Sequence, residues 1–245
     1  SSMRTGAMPG LAAKLLARKD SKVLTMLGAG PIAKACFRAI MTNAKKIETV
    51  KIKAGSLASK TAAGLKEFIE AHYPQVKEVT VCGTLEEAVR GADIISESVS
   101  VKPGEYPYYK KEWLKPGVTL IATSFFNMDK TELAGIRKVV DNWKMYEEYG
   151  LEDEEGYDEN GFRKATGCMG EEFYYMVEDG LISRDSIDHL GEIIRGKKEG
   201  RKSDDEIIFV AIEGMPIEDV AWGSEVYRNA VERGIGTQLK IWNHA

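Results

Sequence analysis

The chain has 245 residues, 43% hydrophobic and 29% charged, enough apolar mass for a buried core, which excludes a disordered polymer. Lys and Arg number 34 against 38 Asp and Glu, a net charge of -4, so no basic footprint for nucleic acid is present. No apolar run reaches the roughly 18 residues that a helical membrane span needs, and no membrane association is expected.

Ser1-Ser2-Met3-Arg4-Thr5-Gly6 lacks the basic-then-apolar pattern of a secretory leader. Cys36, Cys82 and Cys168 are far apart, odd in number and without metal-ligand spacing. They read as free thiols in a reducing compartment, hence a cytoplasmic protein. His72, His189 and His244 are equally scattered, and no metal is expected.

In chain order, residues 7–18 read as a helix with Leu11, Leu15 and Leu16 on one side. Residues 22–27 form an almost wholly apolar first strand, as a central parallel strand requires. A helix over 31–42 buries Ile32, Ala35, Cys36, Ala39 and Ile40. A strand at 47–53, a helix at 59–71 and a strand at 76–81 follow. Thr84 with Glu87 is a capping box opening a short helix, 85–90. Further strands are expected at 94–97, 118–122, 138–141 and 207–212. Residues 170–179 and 183–195 read as helices, the second capped by Ser183, and 151–160 as an exposed acidic loop. A final helix, 216–233, closes at Gly234. Strand–helix alternation at this spacing predicts an α/β fold with a Rossmann-type doubly wound parallel sheet.

The first strand runs directly into Gly28-Ala29-Gly30-Pro31-Ile32-Ala33, a Gly-x-Gly-x-x-Ala turn. Gly28 allows the tight turn, Gly30 lets the backbone approach a pyrophosphate, and Ala33 permits close helix–sheet packing. The following helix N-terminus offers N–H groups to phosphates. The second strand ends Lys51-Ile52-Lys53-Ala54-Gly55-Ser56, without the acid that holds the adenosine ribose of NAD. Lys53 and Ser56 are therefore candidates for a ribose 2′-phosphate, which favours NADP over NAD; a solvated strand edge is the alternative. Ser98, in the loop after the fourth strand, is a candidate cofactor contact or an ordinary turn residue. Arg4 is a possible partner for a substrate carboxylate. Asp129, Lys130 and Glu132 follow the fifth strand, where active sites form, and any of them could serve as acid or base. Phe125-Phe126 before them shapes an apolar pocket or belongs to the core.

Several segments together resemble the ornithine cyclodeaminase and mu-crystallin family. They are Arg4-Thr5-Gly6-Ala7, the Gly28–Ala33 turn, Lys130-Thr131-Glu132-Leu133, the run from Gly200-Arg201 to Glu206-Ile207, Gly214-Met215-Pro216-Ile217-Glu218-Asp219, and Gly234-Ile235-Gly236. The resemblance covers nearly the whole chain in order. It implies a nicotinamide cofactor and chemistry at the carbon beside a carboxylate: cyclisation of ornithine to proline with loss of ammonia, ketimine reduction, amino-acid dehydrogenation or opine-like conjugation. It implies that Arg4 binds the substrate carboxylate. Thr5 and Met215, with Pro31 and Ile32, would join Gly28, Gly30, Ala33, Lys53, Ser56 and Ser98 around NADP or NAD.

Phe126 occupies the place of the family's catalytic aspartate, counted back from Lys130. Asp129, three residues later, would stand in for it, with Lys130 beside it. This favours an amino-acid dehydrogenase or imine reductase over a strict ornithine cyclodeaminase. A non-catalytic, NADPH-binding, mu-crystallin-like protein is the third reading. The resemblance divides the chain into a linking helix, 1–18, a dinucleotide-binding domain, 19–215, and a C-terminal helix, 216–245, returning to the substrate domain. Only a remnant of the substrate and dimerisation domain is then expected, at the two ends. The rest would come from a longer chain or a second polypeptide, in an oligomer.

Overall fold

The computed structural model describes residues 2–100, 105–152, 156, 157, 159, 161–164 and 167–239. In chain order the elements are α1 (Ser2–Leu16), β1 (Val23–Leu27), α2 (Pro31–Asn43), β2 (Thr49–Lys53), α3 (Lys60–His72), β3 (Glu78–Val81), α4 (Leu85–Val89) and β4 (Ile94–Glu97). Then come β5 (Tyr108–Tyr109), β6 (Thr119–Ala122), β7 (Asn127–Met128), α5 (Lys130–Ala134), β8 (Arg137–Val140), α6 (Trp143–Glu152), α7 (Met169–Glu178), β9 (Ile187–His189), α8 (Leu190–Ile194), β10 (Ile208–Ala211) and α9 (Pro216–Glu232).

Eight strands form one sheet in the order β3-β2-β1-β4-β6-β10-β8-β9. Every pairing is parallel, so all eight carboxyl ends lie on one edge. Strand order reverses between β1 and β4, which opens a crevice at that edge. β1, β4, β6 and β10 are buried almost throughout because helices cover both faces. One core packs around Leu24, Met26, Phe37, Ile40 and Ile94, the other around Tyr109, Phe126, Tyr146, Phe173 and Phe209. This is the Rossmann-type fold expected from the alternation.

The first helix begins at Ser2 and carries Arg4 within it, whereas its apolar pattern begins only at residue 7. Gly6, Pro9 and Gly10 obscure it in sequence, yet two of them make it fit. A Cβ on Gly6 would lie 2.5 Å from the Ala35 carbonyl carbon, and one on Gly10 2.6 Å from the Ala39 Cβ. The pairing of Gly6 with Ala35 and Gly10 with Ala39 makes α1 run alongside α2 in the same direction. The N-terminus of α1, with Arg4, therefore lies at the nucleotide-turn end of α2.

Two expectations need correction. Residues 183–195 are not one helix. Ser183 caps a short 3-10 turn, β9 pairs with β8, and only Leu190–Ile194 is helical. The Asp188 carboxylate, paired with Arg137 at 2.7 Å, anchors the edge strand. Residues 143–152 form α6, so Leu151 and Glu152 end a helix rather than begin a loop. Residues 153–155, 158 and 160 of that expected loop lie outside the described residues. α6 and α7 interlock: a Cβ on Gly150 would overlap the Tyr174 ring, and one on Gly170 the Tyr146 ring.

α9 has no buried residue and exposes Ile217, Val220, Trp222, Val226, Tyr227 and Val231. No helix among the described residues is long and apolar enough to cross a membrane.

Candidate functional site

The carboxyl ends of β1, β4, β6, β10 and β8 deliver Gly28, Glu97-Ser98, Thr123-Ser124, Glu213-Gly214 and Asp141 to one edge. Gly28 has φ +99, and a Cβ there would stand 2.6 Å from the Ser98 carbonyl oxygen. The turn after β1 thus lies directly against the loop after β4. Gly30 contrasts with it: nothing lies within 4 Å of where its Cβ would be. Pro31 occupies the first turn of α2 and no side chain caps that helix, so its leading N–H groups have no side-chain acceptor. An open cradle beside uncapped N–H groups fits a pyrophosphate. Ala33 is buried on the inner face of α2, whereas Ile32, expected in the buried stripe, is 39% exposed because it lies in the first turn at the open cradle.

The other expected cofactor contacts are distributed along the same edge. The Ser98 hydroxyl accepts from Thr123 Oγ1 at 3.1 Å and lies 3.7 Å from Cys36 Sγ. At the end of β2, Lys53 Nζ donates to the Ala54 carbonyl and Ser56 is exposed. Met215 is the N-cap residue of α9, and Thr5 lies one residue after Arg4 in α1.

Arg4 Nε donates to Asp219 Oδ1 at 3.2 Å, and its Nη1 lies 3.6 Å from Glu218 Oε2. The guanidinium packs against Gly214, where a Cβ would collide with it. Gly214 is itself held by Asp141, whose Oδ2 accepts from the Glu213 and Gly214 N–H groups at 3.0 and 2.9 Å. Asp141 Oδ1 accepts from the Tyr146 hydroxyl at 2.7 Å. A buried carboxylate after β8 therefore fixes the turn after β10 that seats Arg4.

Asp129 and Lys130 are drawn into other contacts. The Asp129 carboxylate caps α5, accepting from the Thr131 and Glu132 N–H groups. Its hydrogen bond from the Thr131 hydroxyl, then that from Glu132, holds its carboxyl below the usual range. Lys130 Nζ donates to the Arg163 carbonyl at 2.6 Å and pairs with Glu172 at 3.0 Å, tying α5 to α7. Phe126 is core: it stacks on Tyr109 with centroids 3.5 Å apart and meets Phe209 edge-on. The pocket-lining alternative for Phe126 is excluded by that burial. The neighbouring Phe125 packs against Tyr106.

Glu97, Ser124 and Asp141 were not singled out by their residue types. Glu97 is 1% exposed, accepts from the Val99 N–H at 2.7 Å, and has Ser124 Oγ 2.8 Å from each carboxylate oxygen. Burial pushes its carboxyl up to about 7, against the Val99 and Ser124 hydrogen bonds that favour the charge. The available signal was a carboxylate ending a strand buried on both faces. Burial, then Asp141, raises Glu213. Tyr106 is raised by burial, then by Glu97 and Glu171. Among the described residues this edge thus carries the carboxyl groups of Glu97, Asp141 and Glu213, and the Arg4 guanidinium sits on Gly214 beside Glu218 and Asp219.

The model of the ornithine cyclodeaminase/mu-crystallin family matches residues 1–234. The chain belongs to that family. An N-((2S)-2-amino-2-carboxyethyl)-L-glutamate dehydrogenase of Staphylococcus aureus is 27% identical over 99% of this chain and 65% of its own. A Thermococcus litoralis Delta(1)-pyrroline-2-carboxylate reductase, solved with NADH and L-proline, superposes with a TM-score of 0.76 at 26% identity, covering 97% of this chain and 67% of its own. An archaeal alanine dehydrogenase dimer with bound NAD gives 0.77 at 28% identity, covering 98% and 67%. The chain spans about two thirds of the length of these relatives. In each of them the matching region is part of one longer chain, which lends no support to the expected second polypeptide.

Proposed function

We propose that this protein is an NAD(P)-dependent oxidoreductase acting on the C–N bond of an amino or imino acid. The observation that carries the reading is the placement of an open dinucleotide turn and Arg4 on the same sheet edge. The first holds phosphates through the backbone of Gly28, Gly30 and Ala33, with Pro31 and Ile32 opening the helix. The second is a guanidinium seated by Gly214, suited to a carboxylate. Glu218 and Asp219 against Arg4, with Asp141 behind the Gly214 turn, give negative charge that favours an amine or iminium beside that carboxylate. Together they complement an amino acid in its charge pattern. The relatives' cofactors and substrates support the same reading.

The bound nicotinamide would supply or accept the hydride at the carbon next to nitrogen. The chain's own groups would orient the substrate so that this path is short. Phe126, packed in the core where the family aspartate stands, favours a dehydrogenase or imine reductase over an ornithine cyclodeaminase. The acid-free end of β2, with Lys53 and Ser56, supports NADP over NAD. NADPH should bind about tenfold tighter than NADH, roughly 1.4 kcal/mol, and Lys53→Ala should remove the difference. The exposed apolar face of α9 supports its assignment to the substrate and dimerisation region, with residues 19–215 as the dinucleotide-binding domain. It also supports an oligomer, and the free buried thiols support a cytoplasmic setting.

Titration with NADH and NADPH, followed by nicotinamide absorbance with a panel of amino acids, keto acids with ammonia, and cyclic imines, tests the function. Net oxidation or reduction is expected. Proline and ammonia from ornithine without net redox change would instead indicate the cyclodeaminase. Cofactor binding with no turnover would indicate the non-catalytic protein.

A further inference from the structure

We infer that Glu97 and Ser124 form a proton relay serving the substrate nitrogen, with Ser124 as the residue that meets substrate and Glu97 acting through it. The inference rests on the C–N redox reading above and supplies the acid that Phe126 cannot.

The geometry is specific. Ser124 Oγ lies 2.8 Å from both oxygens of Glu97 and 2.9 Å from the Val99 carbonyl oxygen. A hydroxyl has one proton for these three acceptors. With Glu97 ionised, Ser124 donates to the carboxylate. With Glu97 protonated, the acid donates to Ser124 Oγ, and the serine proton turns to Val99 or to a group in the crevice. The Glu97–Ser124 pair thus has two hydrogen-bonded states that differ by one proton. Glu97 ends β4, beside the crevice between β1 and β4, and Ser124 lies two residues past the end of the neighbouring strand β6. Glu97 is sealed from water, while Ser124 is only half-buried.

In the reductive direction a reduced nicotinamide, once bound, would supply the hydride for the new C–H bond at the imine carbon and be oxidised in doing so. An N–H bond forms with the Ser124 proton, and Ser124 recovers its proton from Glu97, which is left ionised. Amino-acid oxidation reverses each transfer. Burial holds the Glu97 carboxyl near 7, where it can both give and take a proton at neutral pH. Among the described residues, the titratable groups facing it are Tyr106 and Tyr109 from the β5 side and Cys36 from α2, all raised chiefly by burial and so neutral in this range.

The test compares Glu97→Gln, isosteric with the native side chain, and Ser124→Ala with the wild type. In protein without substrate, infrared titration should show a protonated-carboxyl band that disappears near neutral pH. Glu97→Gln should lack it. In Ser124→Ala it should persist to higher pH, because a hydrogen bond favouring the charge is gone. In turnover, each variant should lose roughly 10²–10⁴-fold in kcat, with cofactor Kd unchanged. Each should also lose the neutral limb of the kcat–pH profile. A structural role would lower kcat without removing that limb. Wild-type turnover with an unaltered limb in Glu97→Gln would overturn the relay alone. No wild-type turnover of any amino or imino acid would overturn the reaction reading and the relay with it, even if the infrared band titrates.

Discussion

Gly6 of α1 and Ala35 of α2 approach so closely that a Cβ on Gly6 would fall 2.5 Å from the Ala35 carbonyl carbon. This contact sets the depth at which α1 lies on α2 and hence where Arg4, half a turn earlier, meets Gly214. Gly6→Ala should destabilise the protein by about 1–3 kcal/mol, the usual cost of overpacking. It should also weaken substrate binding, since Arg4 moves with its helix. Urea denaturation and a substrate KM measurement check both effects.

The two glycines of the nucleotide turn should separate by experiment. Gly28 has φ +99 and faces the Ser98 carbonyl, so Gly28→Ala should lower both stability and cofactor affinity. Gly30 has open space around it, so Gly30→Ala should leave the melting temperature unchanged and raise the NADH Kd at least about tenfold, since the methyl fills the phosphate cradle. Thermal melts beside fluorescence titrations distinguish the two.

Arg4→Ala should raise the substrate KM roughly 10–100-fold, in line with about 1.5–3 kcal/mol for a hydrogen bond to a charged group. Cofactor Kd should not move, because the guanidinium touches Gly214, Glu218 and Asp219 rather than the nucleotide turn. Arg4→Lys should recover only part of the loss, because an ammonium cannot make a bidentate contact. Steady-state kinetics with separate cofactor titration checks this.

The buried Glu97 predicts a pH dependence of stability. Its folded carboxyl is raised from 4.5 to about 7, so the folded state binds the proton more tightly than the unfolded chain. Stability from this group is full below pH 4.5, falls as pH rises to about 7, and is level above. The full fall is roughly 3 kcal/mol. Glu97→Gln carries no such charge, so its stability relative to the wild type should rise across that window. Denaturation curves from pH 4 to pH 8 measure the difference.

The central strands and the nucleotide turn were legible in sequence because they combine apolar runs with a glycine pattern of fixed spacing. α1 was legible only from residue 7, since Gly6, Pro9 and Gly10 read as breakers although Gly6 and Gly10 are what let the helices touch. α6 was hidden because its buried face is Trp143, Tyr146 and Gly150, an aromatic and small-residue stripe within an acidic stretch. β9 has three residues, too few for any alternation to show, and exists through its pairing with β8.

At the site, Arg4 was legible by resemblance, while its seat on Gly214 depends on Asp141, 73 residues away in sequence from that glycine. Asp129 and Lys130 have suitable chemistry, yet their side chains cap a helix and tie α5 to α7. Glu97 and Ser124 carry no motif. They become a pair only when β4 and β6 lie side by side.

The most direct test of the account is nicotinamide absorbance during incubation of the protein with NADPH or NADH and a cyclic or open-chain imino acid bearing an α-carboxylate. The account predicts stoichiometric oxidation of the reduced cofactor with formation of the corresponding amino acid, slowed roughly 10–100-fold by Arg4→Ala at low substrate. Tight cofactor binding with no oxidation for any imino acid, and no reduction with any amino acid, would contradict it.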